Sequence, residues 1–145
     1  MSKKGNAVIG MSGGSTAVIN SSALGVVDEL LDSGLVDNIY AGMYGIRGLL
    51  LEELLDMGHQ QRPQLNLMKT TPAAGVIGTV RYKLKVKDDP TFQEDYERII
   101  EVCKKQDIRF FFYIGGNDSM DTANKISLLA RERGLDDFIA VGVPK

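Results

Sequence analysis

What this chain has little of already narrows its class. A single cysteine, Cys103, allows no internal disulfide and fits a reducing compartment. Among Ile99, Ile100 and Val102 it reads as a small core residue. The one histidine, His59, lies in a polar stretch with no partner at catalytic or metal-binding spacing, and is expected at the surface. The start, Met1-Ser2-Lys3-Lys4-Gly5, lacks the apolar core of a signal peptide, and no segment approaches the length of a membrane span. The expected location is therefore cytoplasmic, with no membrane partner. Net charge is only −2. No basic patch argues for nucleic acid, and the run Lys83-Leu84-Lys85-Val86-Lys87 reads as a solvated edge. Repeats, low-complexity tracts and interdomain linkers are missing as well. With 145 residues, 43% apolar and 25% charged, the chain has the size of one globular unit with a sizeable core.

What is present alternates strands with helices. Ala7–Met11, Asn38–Ala41, Phe110–Ile114 and Phe138–Val143 are short apolar runs bounded by turn residues, the pattern of buried strands. Ile19, Ala23, Val27, Leu30 and Leu31 share a helix face, capped by Ser15 or Thr16 and closed by Gly34. Residues 49–57 suit a helix or a short strand. Residues 60–69 read as a helix ended by Thr70-Thr71-Pro72, and 76–81 as a strand or tight loop. A further helix takes Asp89 as its cap and Pro90 in its first turn, and keeps Phe92, Tyr96, Ile99, Ile100 and Cys103 at a 3.6-residue period. The last helix is expected from Ser119 to Arg133, stopped by Gly134. This alternation predicts an α/β fold: a Rossmann-like, three-layer αβα arrangement with a mainly parallel sheet and right-handed crossovers.

In such a sheet ligands bind at the carboxyl ends of the strands. Three groups fall there: Gly13-Gly14, then Gly115-Gly116-Asn117-Asp118, then Lys145. Paired glycines at a strand-to-helix turn let a ligand approach the backbone, and the first N–H groups of the helix with its dipole make a seat for phosphate. Asp118 is unexpected in that seat, because a carboxylate repels phosphate; it implies a metal or a cation sharing the site. The spacing at Gly13 is not G-x-G-x-x-G and no G-x-x-x-x-G-K-[ST] occurs, so neither a dinucleotide fingerprint nor a P-loop is supported.

The stretches SGGSTAVINSSALGVV, GVIGTVRYKL, YIGGNDSMDTANKIS and the terminal VGVPK, in this order across nearly the whole chain, resemble the amino-terminal part of a phosphofructokinase. The resemblance is to the pyrophosphate-dependent branch. ATP-using members carry Gly-Gly-Asp-Gly-Ser in the second turn and a glycine after the proline of the last strand; here those positions hold Asp118 and Lys145. The resemblance implies Mg²⁺-dependent, reversible transfer of a phosphoryl group from pyrophosphate to fructose 6-phosphate, in a homo-oligomer at full length. It implies that Gly13, Gly14, Arg81, Gly116, Asp118, Ser119 and Lys145 bind pyrophosphate. Lys145 and Arg81 would stabilise the charge of transfer, and Asp118 with Lys145 would set donor choice. A glycine in place of Asp118 leaves room for a nucleotide's α-phosphate and ribose. At about 4 Å and an effective dielectric near 20, the carboxylate instead repels a negative charge by roughly 4 kcal/mol. Ser119 would cap its helix and donate to phosphate. Asn117 stands where the family usually has a magnesium-binding aspartate; its oxygen can meet a hard cation but adds no charge.

In the family the last strand runs on into Thr-Ile-Asp-Asn-Asp, whose aspartate takes the proton of the sugar hydroxyl. No residue of this sequence matches that base. Residues 1–145 are therefore expected to be the donor-binding part of the family's amino-terminal domain, incomplete and inactive alone. A non-catalytic phosphate-binding or regulatory subunit, and an ATP-dependent relative, are the readings left open.

Overall fold

The computed structural model describes residues 4–71, 74–84 and 90–145. The expected breaker Pro72, the expected cap Asp89 and the side chain of Phe92 lie outside the described residues.

Ten elements follow one another: β1 (Gly5–Met11), α1 (Ile19–Ser33), β2 (Val36–Gly42), α2 (Ile46–Leu51), β3 (Leu54–Asp56), α3 (Arg62–Leu67), α4 (Pro90–Lys105), β4 (Ile108–Gly115), α5 (Asn117–Glu132) and β5 (Ile139–Pro144). Across the sheet the order is β3-β2-β1-β4-β5. β1, β2, β4 and β5 are parallel, and β3 returns antiparallel beside β2. β1 and β4 lie at the centre, in register from Ala7 opposite Phe110 to Met11 opposite Ile114. Their near-continuous apolar runs suit strands covered on both sides.

The chain moves from β1 to β2 in one direction and from β4 to β5 in the other. Right-handed crossovers then require α1 and α5 on opposite faces. The two core clusters match this. Ile19, Ala23, Val27 and Leu30 of α1, with Leu65 of α3, pack on Ala7, Ile9, Met11 and Ile114. On the other face Ile46 and Leu49 of α2, Ile99, Ile100 and Cys103 of α4, and Ala123 and Ile126 of α5 pack on Val8, Phe111 and Tyr113. Burying such a side chain contributes about 1.5–3 kcal/mol. Cys103 is a core residue, and burial pushes its thiol up to about 12. His59 is exposed and pairs with Asp56 at 2.7 Å.

Several local expectations are corrected. Neither Ser15 nor Thr16 caps α1: Val18 occupies the cap position without a side-chain bond, and the Thr16 carbonyl accepts from Ile19 N–H in a preceding turn. Leu31 is 44% exposed although Leu30 is buried, because one residue is 100° around the helix and carries it off the core stripe. Residues 49–57 hold the end of a helix and a strand. Glu52 separates them at φ 58, its N–H donating to the Gly48 and Leu49 carbonyls. α5 starts two residues before the expected Ser119, with the extended Gly116 as its cap, so Ser119 is its third residue and caps nothing.

Candidate functional site

The sheet order reverses between β1 and β4, so the loops leaving their carboxyl ends diverge to opposite faces and open a crevice. A cavity of about 440 Å³ lies there. Gly13 and Gly14 line it after β1, Gly116, Asp118 and Ser119 at the start of α5, Lys145 after β5, and Arg81, Tyr82 and Lys83 on a connecting strap. Each of the expected donor-binding residues is in this set. Asn117 is exposed and is not part of the lining.

Gly13 has φ 76, a conformation that favours glycine. Its N–H donates to the Val80 carbonyl at 3.1 Å, so its service to the cleft is the missing side chain and not that donor. A Cβ there would stand 3.4 Å from Lys145 Nζ. Gly115 is required by packing: a Cβ would come within 2.1 Å of Ser119 Oγ. Above Gly116 a Cβ would meet nothing within 4 Å, leaving open space in front of the first turn of α5.

The strap is held along its length. Asn20, buried at the start of α1, donates from its amide to the Ala74 carbonyl and accepts from Val76 N–H at 3.0 Å. Tyr44 N–H donates to Ile77 O at 3.0 Å, and Val80 bridges Ser12 in parallel. Tyr82 Oη donates to Asp95 of α4 at 2.7 Å, and that bond to a carboxylate raises the phenol to about 12. These anchors bring Arg81 to the cleft, where its Nη2 would lie 3.3 Å from a Cβ on Gly14.

Lys145 reaches the same wall from the far end of the chain. Its N–H donates to the Gly115 carbonyl at 3.2 Å, continuing the β4–β5 pairing, and its ammonium donates to the Gly14 carbonyl. Opposite, Asp118 Oδ2 lies 3.4 Å from Lys83 Nζ, both side chains exposed. Among the described residues the cleft thus holds three cations against one side-chain carboxylate, an arrangement suited to a polyanion.

Lys83, read as part of a solvated edge at 83–87, is exposed and also lines the cleft; Lys85, Val86 and Lys87 fall outside the described residues. The signal for Lys83 was its place two residues after Arg81, because alternate residues of an extended segment share a side. The signal for Asn20 was a polar residue inside the apolar stripe of α1, where burial demands partners.

The residues present do not by themselves fit a protein-held magnesium ion. Among the described residues Asp118 is the one side-chain carboxylate lining the cleft, and no group of three histidine, cysteine or acidic residues that could hold a metal occurs. A second cavity, of about 280 Å³ and lined by Cys103, Arg109 and Asp137, is crossed by the Arg109–Asp137 ion pair at 3.3 Å.

A cationic cleft floored by glycines at the switch point of a mainly parallel sheet defines a doubly wound α/β domain. The chain belongs to the phosphofructokinase family, whose profile, described as "Phosphofructokinase", matches residues 6–145. It is 44% identical over 141 residues to a pyrophosphate--fructose 6-phosphate 1-phosphotransferase of Halomonas elongata, which covers 97% of this chain and 33% of the relative. The counterpart of the same name in Methylococcus capsulatus is 43% identical over 141 residues, with the same coverage. Among solved structures, the pyrophosphate-dependent phosphofructokinase of Nitrosospira multiformis superposes with a TM-score of 0.86 at 43% identity, over 97% of this chain and 33% of that one. The chain spans about a third of the length of these relatives. No helix among the described residues is long and apolar enough to cross a membrane.

Proposed function

We propose that this segment binds the phosphoryl donor of a pyrophosphate-dependent phosphofructokinase. The reaction transfers one phosphoryl group from pyrophosphate to the 1-hydroxyl of fructose 6-phosphate. The bridging P–O bond breaks, a P–O bond to the sugar forms, orthophosphate leaves, and the hydroxyl proton goes to a base outside these residues. The observation that carries the reading is that Asp118 and Lys145 face one cleft with Gly13, Gly14 and Gly116.

Arg81 and Lys145 hold the donor and meet the charge that grows on the transferring group and the leaving phosphate. The open first turn of α5 and Gly116 receive phosphate oxygens at the positive end of the helix. Ser119, buried beside Gly115, fixes that turn. Asp118 stands where a longer polyphosphate would continue and repels it, while pyrophosphate ends short of it. A magnesium ion would have to be bound mainly by the donor itself, where it would offset phosphate charge, and Asn117 would offer it no more than a neutral oxygen.

The test is phosphoryl transfer by the full-length protein with pyrophosphate or ATP as donor. Turnover with pyrophosphate and none with ATP is expected, and Asp118→Gly should admit ATP with at least about tenfold higher affinity. Efficient ATP turnover by the unaltered protein would sink the reading.

A further inference from the structure

The geometry points to Lys83 as a donor-binding residue of this cleft, taking the phosphoryl group of pyrophosphate that lies nearer Asp118; the inference rests on the donor reading above. Its basis is the division of cations between the two walls. Arg81 and Lys145 stand at Gly14 and Gly13, and the Lys145 ammonium already donates to the Gly14 carbonyl. They serve one end of a diphosphate. The other end falls towards Gly116 and Asp118, where an uncompensated carboxylate would repel it.

Among the described residues Lys83 is the cation at ion-pair distance from Asp118, 3.4 Å from Oδ2. With side-chain exposures of 84% and 79%, the pair adds little to folding. Its value lies in the charge it presents to the cleft. Lys83 neutralises Asp118 in the empty cleft and bridges the carboxylate and the donor when it is filled, so Asp118 limits donor length without expelling pyrophosphate. The placement is built: the preceding residue, Tyr82, is tied to Asp95 of α4 at 2.7 Å, which fixes the strap where Lys83 leaves it.

The test titrates pyrophosphate calorimetrically into the full-length protein and its Lys83→Met and Lys83→Arg variants. The methionine variant is expected to bind about tenfold more weakly and the arginine variant within about threefold of the parent, with both thermal midpoints unmoved. Weakening of less than about threefold in Lys83→Met overturns the inference, as does an equal loss in Lys83→Arg, which would show that charge is not the cause. If the unaltered protein fails to bind pyrophosphate, the donor reading fails and this inference falls with it. Normal binding by the unaltered protein and by Lys83→Met sinks the inference alone.

Discussion

Around Glu52 one carboxylate gathers Arg98 at 2.7 Å, Lys105 at 2.8 Å and the Gln106 amide at 3.2 Å. Around Asp118 one carboxylate meets Lys83 at 3.4 Å, while Arg81 and Lys145 stand off against the glycines of the opposite wall. The stoichiometry is similar and the outcome differs. Glu52 is mostly covered, and its hydrogen bond from Lys105, with those from Gln106 and Arg98, holds its carboxyl down to about 2. That network ties the end of α2 to α4 and to the turn that follows it, and leaves nothing for a ligand. In the cleft the cations come from the strap and from the end of β5, and the space between them is open. A site for a charged ligand is thus recognised by interactions that the fold has left unfinished, not by the number of charges.

Three changes test that contrast. The largest effect is expected for Lys145→Met, which removes the cation at Gly13 and Gly14: pyrophosphate affinity and turnover should fall by about 100-fold or more with little change in thermal stability. A fall of less than fivefold would make Lys145 a strand-end lysine and dissolve the contrast. Next comes Asn20→Ala, which strands the Ala74 carbonyl and the Val76 N–H. Calorimetric unfolding should show a loss of about 2 kcal/mol, and pyrophosphate should bind less tightly because the strap carrying Arg81 is loosened. Unchanged affinity in the destabilised variant would separate the strap's anchoring from the cleft.

The smallest effect on pyrophosphate binding belongs to Glu52→Gln. The Glu52 carboxyl titrates lower in the folded protein, about 2, than its ordinary 4.5. The unfolded chain therefore binds more protons in that interval, and the stability from this group is full above 4.5 and lost as pH falls towards 2. Acid unfolding curves of the glutamine variant should be flatter over that window, with pyrophosphate binding at neutral pH intact. An equally steep acid limb would show that Glu52 is not the group responsible.

How much of this was legible in the sequence follows from the range of each interaction. The central strands β1 and β4 could be read because burial on both faces writes itself as an apolar run. The cleft's glycines, Asp118, Ser119 and Lys145 could be placed because topology sends strand ends to one edge, and motif resemblance added Arg81 and the roles proposed for all of them. The start of α5 was missed by two residues because Gly116, extended at ψ −163, caps the helix by backbone alone. The split of residues 49–57 turns on the left-handed Glu52, held by partners on α4 and at its end, far along the chain. Lys83 was hidden for the same reason. Its spacing from Arg81 puts it on the same side of an extended segment, but its meaning depends on Asp118, far along the chain.

The contact between Lys145 and the Gly14 carbonyl joins residues 131 positions apart. At ordinary rates of synthesis, on the order of ten residues per second, the glycine turn leaves the ribosome on the order of ten seconds before the lysine that completes its wall. During that interval the nascent chain carries the glycine turn but not Lys145, and β5 has yet to dock beside β4. The pairing of Lys145 with the Gly14 carbonyl thus waits on the synthesis and docking of β5, and the two walls of the cleft are not made at the same time.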